Sequence, residues 1–222
     1  MRDVTNGHHP DLGAALDHLL SSGGKRIRPA VALLTGEMLG AERDKVISLA
    51  AAIELLHTAT LVHDDLIDGA LLRRGIPTLN AQWTPGATVL TGDFIFACAA
   101  KLAAETKSVD LIHIFAETLA TIVNGEITQM FPRLSDDYYQ EYLSRIYAKT
   151  ASLFELATIA PAILSPMGET TTDAAQRFGY GIGMAFQIID DIYQGGSLPE
   201  EAVSVEAPTE FRKSKAARVG AG

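Results

Sequence analysis

The sequence predicts an all-α fold. Apolar residues recur at spacings of three and four along nearly the whole chain, and alternating β-branched runs are scarce. Capping and breaking residues fall between the periodic segments, where helices would start and stop. With 222 residues, 47% of them hydrophobic and 20% charged, the chain has enough apolar material for a sizeable core. We expect one helical domain over residues 1–194. After Gly195 periodicity is lost, so residues 195–222 read as a polar tail.

The elements follow in order. Residues 10–22 form a short first helix, followed by a glycine turn and a basic patch at Gly23, Gly24, Lys25, Arg26 and Arg28. Pro29 suits the first turn of a second helix, which runs to about Leu39 and is ended by Gly40. Residues 43–68 form a long apolar helix that closes on an acid cluster. Residues 69–86 are a polar connection broken by Gly75, Pro77, Pro85 and Gly86. Helices are expected at 88–104 and 109–130, with Ser108 capping the second. Ser135, followed by Asp136 and Asp137, starts a helix that continues to residue 160, where Pro161 kinks or ends it. The last helix spans residues 172–194, with Thr172 as its cap.

Composition narrows the function. A net charge of −9, from 18 Lys and Arg against 27 Asp and Glu, argues against a general nucleic-acid binder. It leaves room for a local basic cluster that receives an anion. The single cysteine, Cys98, permits neither an internal disulfide nor a Cys-rich zinc site. The N-terminus carries no apolar signal segment, and the unbroken apolar runs are too short to cross a bilayer. The expectation is a cytoplasmic protein with no transmembrane segment.

The acid cluster lies in HTATLVHDDLID, residues 57–68. On a helix, His57, Asp64 and Asp68 share one stripe, and Asp65 stands roughly 100° round from Asp64. Asp64 and Asp68 are like charges about 6 Å apart along the axis. A divalent cation would reverse that repulsion, and hard carboxylate oxygens favour Mg2+ or Ca2+. A helix that merely ends acidic is the alternative, although acids near a C-terminus oppose the helix dipole. Arg73 and Arg74 follow, and guanidinium forks suit phosphate oxygens.

A second acid pair lies in GMAFQIIDDIYQ, residues 183–194. Phe186, Ile189 and Tyr193 mark an apolar face, while Gly183, Gln187, Asp190 and Gln194 lie on another. Carboxylates buried there alone would protonate, so they need a partner unless that face is exposed. Facing Asp64 and Asp68 across a cavity, they would share metal ions with a bridging diphosphate. Lys149 and Thr150, and Glu126 and Gln129, also interrupt apolar helices. Lys25, Arg26 and Arg28 offer a second anion pocket. The pattern suggests two phosphorylated ligands, one held through metal and one by cations.

These stretches resemble the trans-type polyprenyl diphosphate synthases. The matches are GGKRIRP at 23–29, HTATLVHDDLID at 57–68, LRRGIPT at 72–78, TGDFIFA at 91–97, GEITQ at 125–129, KT at 149–150 and FQIIDD at 186–191, all in the family's order. The resemblance implies a helical bundle around a deep central cavity, usually a homodimer. It implies Mg2+-dependent joining of isopentenyl diphosphate to an allylic diphosphate. Carried over, Asp64, Asp65 and Asp68 resemble the first aspartate-rich motif and, with Asp190, the Mg2+ ligands. Arg73 resembles the arginine on the allylic diphosphate. Lys25, Arg28, His57 and Arg74 resemble the isopentenyl diphosphate site. Lys149, Thr150 and Gln187 resemble residues near the leaving group. In this family a bulky aromatic ahead of the first motif limits product length. Here that position is Ala59, followed by Thr60. Both are small, as in the longer-chain members, although Leu90, Phe94 and Phe96 offer other ways to floor the cavity.

The sequence also departs from the family. The second motif ends in Gln194 where the family has aspartate, and the glycine–lysine loop and later helices have no match. The expectation is a cavity open on one side. Two functions follow: a prenyltransferase, or a non-catalytic isoprenoid-binding or regulatory subunit of one. A terpene cyclase is a weaker third, since it leaves Lys25, Arg28 and His57 unexplained.

Overall fold

A computed structural model describes residues 9–21, 23–131 and 137–194. The expected tail over 195–222 lies outside the described residues, as does Ser135. The described chain is an all-α bundle with one small hairpin. Its helices are α1 (Pro10–Ser21), α2 (Ile27–Leu39), α3 (Arg43–Ile67), α4 (Leu79–Gln82), α5 (Pro85–Glu105), α6 (Val109–Met130), α7 (Tyr138–Ile146), α8 (Ser152–Ile163) and α9 (Glu169–Gln194). Between α3 and α4, β1 (Leu72–Arg73) pairs antiparallel with β2 (Ile76–Pro77).

Helix α3 forms the centre. Leu49, Ile53, Leu56 and Ala59 are fully buried, and each of the larger three contributes about 2 kcal/mol through removal from water. They join one core with Ile95 and Ala99 of α5, Leu111 of α6 and Leu156 of α8. Gly92 sets the approach of α5 to α3, because a Cβ there would overlap the His63 ring. That ring lies 5.3 Å from Phe96, and its Nε2 is 3.2 Å from the Val89 carbonyl. The glycine of TGDFIFA therefore serves packing. Both α3 and α5 are long and apolar enough to cross a membrane by length and composition, unlike the short unbroken runs that suggested otherwise. In the bundle they pack on one another and contribute core residues.

Several boundaries differ from expectation. Gly40 does end α2, at φ 71°, and the Ser108 side chain accepts from the Leu111 N–H as the cap of α6. The polar connection folds into the hairpin and α4. The helix expected at 135–160 instead starts after Asp137, whose carboxylate accepts from the Gln140 N–H at 3.0 Å. It is interrupted by a π-helical turn, Tyr147–Ala151. Pro161 sits inside α8 without ending it. Thr172 lies within α9, not at its cap. Ile189 and Tyr193 are exposed, 50% and 73%, whereas Phe186 of the same predicted face lines the cavity beside Gln187 and Asp190.

Candidate active site

A cavity of about 910 Å³ opens between the basic loop, α3, the hairpin, the π-turn and α9. Most of the residues singled out from the sequence meet there. His57, Thr60, Asp64 and Asp65 line it from α3, and Arg73 and Arg74 from the hairpin. Lys25 and Arg28 line it from the basic loop and α2, and Lys149, Thr150, Gln187 and Asp190 from the π-turn and α9. Glu126, Gln129, Asp191, Asp68 and Ala59 are not among its lining residues. Ala59 is fully buried in the core. Asp68 is the exposed C-cap of α3, its N–H bonded to the Asp64 carbonyl at 2.8 Å, and Asp65 takes the place at the wall that the stripe assigned to it.

Asp64 and Asp65 of the first motif each already hold a cation. Asp65 Oδ1 accepts from Arg73 Nε at 2.8 Å, and Nη2 of the same guanidinium forms an ion pair with it at 2.8 Å. Lys149 Nζ lies 3.4 Å from Asp64 and 3.0 Å from Glu126. Burial pushes the Asp64 carboxyl above its ordinary value, and Lys149 only partly opposes this. Burial pulls the Lys149 ammonium down, but the two carboxylates outweigh it and the net shift is upward. No group of three or more His, Cys, Asp or Glu side chains forms a metal cage among the described residues. The wall instead offers separate hard carboxylates. That suits Mg2+, which keeps waters and takes substrate phosphates as further ligands.

Another part of the lining is cationic. Arg74 Nη1 donates to the Gly23 carbonyl at 2.9 Å, tying the hairpin to the basic loop. Arg26 Nη2 donates to the Leu20 carbonyl at 3.0 Å. Arg26 and Arg74 both adopt left-handed backbone conformations, φ 47° and 53°. Such a conformation costs a non-glycine residue about 1 kcal/mol. Arg28 is deeper: its guanidinium lies 4.8 Å over the Phe154 ring, and its Nη1 is 3.3 Å from His57 Nε2. Its buried Nε has no hydrogen-bond partner among the described residues. Burial lowers its pKa to about 10, with Glu54 opposing. Burial likewise raises the Glu54 carboxyl, against the pull of Arg26, Arg28 and Arg74. A wall of arginines around one raised carboxyl has positive charge to spare for an anion.

His57 has a pKa lowered to about 3, by burial first and then by Arg28, Arg73 and Arg74. It is therefore neutral and accepts through Nε2. The unfolded chain protonates near 6.5 and the folded chain does not. The stability this histidine confers is complete above pH 6.5 and is lost as pH falls toward 3. His57→Gln is expected to flatten the fall in urea midpoint between about pH 7 and about pH 4 relative to the parent protein.

Glu54 and Phe154 were not singled out from the sequence. Glu54 stands one turn before His57 on the same face, a signal that a helical wheel carries. Phe154 reads as core and is 1% exposed overall, yet its ring edges the cavity.

Residues 9–201 match the family model described as Polyprenyl synthetase. The chain is 37% identical over 196 residues to a prenyl transferase of Synechocystis, covering 86% of this chain and 61% of that protein. It is 39% identical over 189 residues to an octaprenyl diphosphate synthase of Haemophilus influenzae, covering 84% and 57%. A polyprenyl synthase from Caulobacter crescentus, solved with calcium and isoprenyl diphosphate, superposes with a TM-score of 0.80 at 38% identity, covering 86% of this chain and 58% of that one. The chain thus spans about three-fifths of the length of these relatives. With the motifs in order, the fold shared and the motif residues gathered at one cavity, the chain belongs to the polyprenyl synthetase family.

Proposed function

We propose that this chain is a Mg2+-dependent polyprenyl diphosphate synthase that condenses isopentenyl diphosphate with an allylic diphosphate. The observation that carries this reading is an acidic wall and an arginine wall facing one cavity. Asp64, Asp65 and Asp190 would hold Mg2+, with the exposed Asp68 joining from the helix end. Bound Mg2+ would neutralise charge growing on the departing diphosphate. Arg73 and Lys149 exchange their carboxylate partners for diphosphate oxygens. Lys25, Arg28 and Arg74 hold the diphosphate that stays, with neutral His57 accepting from Arg28. Phe154 and Phe186 exclude water from the reacting carbons.

The allylic C–O bond breaks with its electron pair leaving on diphosphate. The alkene of isopentenyl diphosphate supplies the pair for the new C–C bond. The proton then lost goes to a diphosphate oxygen, so no protein nucleophile is required. Thr150 and Gln187 sit at the leaving-group end. Exposed Val89 and Leu90 on α5, with Val123 and Ile127 on α6, support a homodimer through those helices.

The test is incubation of the purified protein with Mg2+, labelled isopentenyl diphosphate and farnesyl or geranylgeranyl diphosphate. A ladder of prenyl chains that EDTA abolishes is expected. Binding of both ligands without any product would instead identify a regulatory subunit. Of the two small residues ahead of the motif, Thr60 borders the cavity. Thr60→Phe is therefore expected to shorten the ladder, read by chromatography of the hydrolysed products.

A further inference from the structure

A chain of three hydrogen bonds runs from the core to the reacting end of the cavity. Tyr142 Oη donates to Asp191 Oδ2 at 2.9 Å. Gln187 Nε2 donates to Asp191 Oδ1 at 2.8 Å. Thr150 Oγ1 donates to Gln187 Oε1 at 2.6 Å. Thr150 and Gln187 line the cavity, whereas Tyr142 and Asp191 do not. We infer that Tyr142 and Asp191 are positioning residues that fix which end of the Gln187 amide faces Thr150. On this inference Asp191 supports the site from behind and is not a metal ligand, unlike its neighbour Asp190. The inference deepens the prenyltransferase reading and rests on it.

The chemistry of the groups forces the direction of the chain. A carboxylate only accepts hydrogen bonds, so Asp191 can meet Gln187 only through the amide N–H. The Gln187 oxygen is then turned to Thr150, whose hydroxyl hydrogen is used on it. The remaining lone pairs of Gln187 Oε1 and Thr150 Oγ1 are left for the cavity. If the amide were reversed, its positive N–H edge would stand where an allylic cation develops. That edge would oppose the reaction by the same electrostatics with which an oxygen helps it.

The far end of the chain is fixed. Tyr142 is 4% exposed and packs with Ile146, Ala151 and Met184. Burial first, and then its hydrogen bond to Asp191, push its phenol well above the ordinary value, so it remains a donor. The near end depends on the π-turn. Lys149 and Thr150 are adjacent, and the widened turn presents both to the cavity. Gly183 lets α9 approach that turn, since a Cβ there would lie 2.5 Å from Ala151 Cα.

Tyr142→Phe and Asp191→Asn test the inference. An asparagine can donate or accept toward Gln187, so the amide loses its fixed direction. Asp191→Asn is expected to lower kcat about tenfold or more, because a misdirected group near the reacting atoms is costly. Tyr142→Phe, which leaves the carboxylate in place but removes its anchor, is expected to lower kcat by a smaller factor of about threefold. KM for both substrates is expected to stay within about twofold of the parent value. Mg2+-dependent binding of inorganic diphosphate, measured by calorimetry, should also be unchanged. The double variant should be no slower than Asp191→Asn alone, because the two act on one amide.

Unchanged kcat in both variants would overturn the inference. So would a loss of Mg2+-dependent diphosphate binding in Asp191→Asn as large as in Asp190→Asn. Tyr142→Phe, which preserves shape, carries the test if Asp191→Asn does not fold. Should the parent protein make no product, the prenyltransferase reading fails separately. The Gln187 side-chain amide resonance, identified by its loss in Gln187→Leu, then decides the hydrogen-bond chain. A shift in Tyr142→Phe supports it, and an unmoved resonance overturns it.

Discussion

Asp64→Asn is expected to lower kcat/KM by at least about 100-fold while leaving the free protein as stable as before, or more so. The two effects have one cause. The Asp64 side chain is only 11% exposed, and burial raises its pKa even with Lys149 at 3.4 Å. A carboxyl raised above its unfolded value favours folding only where it is protonated. That contribution is lost as pH rises, so at neutral pH the ionised group is a cost. Asparagine removes the cost, and Lys149 keeps Glu126 at 3.0 Å, so no buried cation is stranded. The same substitution removes a hard anionic oxygen from the wall where a metal diphosphate would bind. Steady-state rates and a thermal melt on one preparation check both halves. A variant that loses activity by unfolding would show a lowered melting temperature, opposite to the expectation.

Arg28→Met is expected to raise KM for isopentenyl diphosphate by roughly 30- to 100-fold, equivalent to about 2–3 kcal/mol of a charge-assisted contact. Arg28 is fixed over Phe154 and beside His57, and its buried Nε lacks a partner among the described residues. A buried guanidinium with unused donors is suited to an arriving anion. Arg28→Lys should recover little of the loss, since an ammonium keeps the charge but neither the fork nor the stacking on Phe154. Full recovery by lysine would show that charge alone matters at this position.

The fold class and much of the cavity lining were legible because they rest on periodicity and on groups close in sequence. His57 and Asp64 lie two turns apart on one helix, and the helical repeat alone brings them to one side. The interaction of Arg74 with Gly23 was not legible, because it joins residues 51 apart through the hairpin. The π-turn was also hidden. The sequence shows Lys149 and Thr150 as one polar patch, but not the widened turn that presents these adjacent residues together, which a regular helix would set about 100° apart. Ala59 was misleading in a different way. Its small side chain reflects close packing at the centre of the bundle, where it is fully buried. Ile189 and Tyr193 were misleading because α9 buries Met184 and turns Phe186 to the cavity while these two meet solvent.

The central claim is that the cavity takes two diphosphates by different means, one through metal and one through cations alone. Calorimetry with isopentenyl diphosphate and with farnesyl thiodiphosphate, each with Mg2+ and with EDTA, tests it without requiring turnover. Isopentenyl diphosphate should bind equally with or without Mg2+ and lose affinity in Arg28→Met. The thiodiphosphate should bind only with Mg2+ and lose affinity in Asp64→Asn. Equal metal dependence for both ligands, or binding of the thiodiphosphate in EDTA, would contradict the division of the cavity into an acidic and a cationic wall.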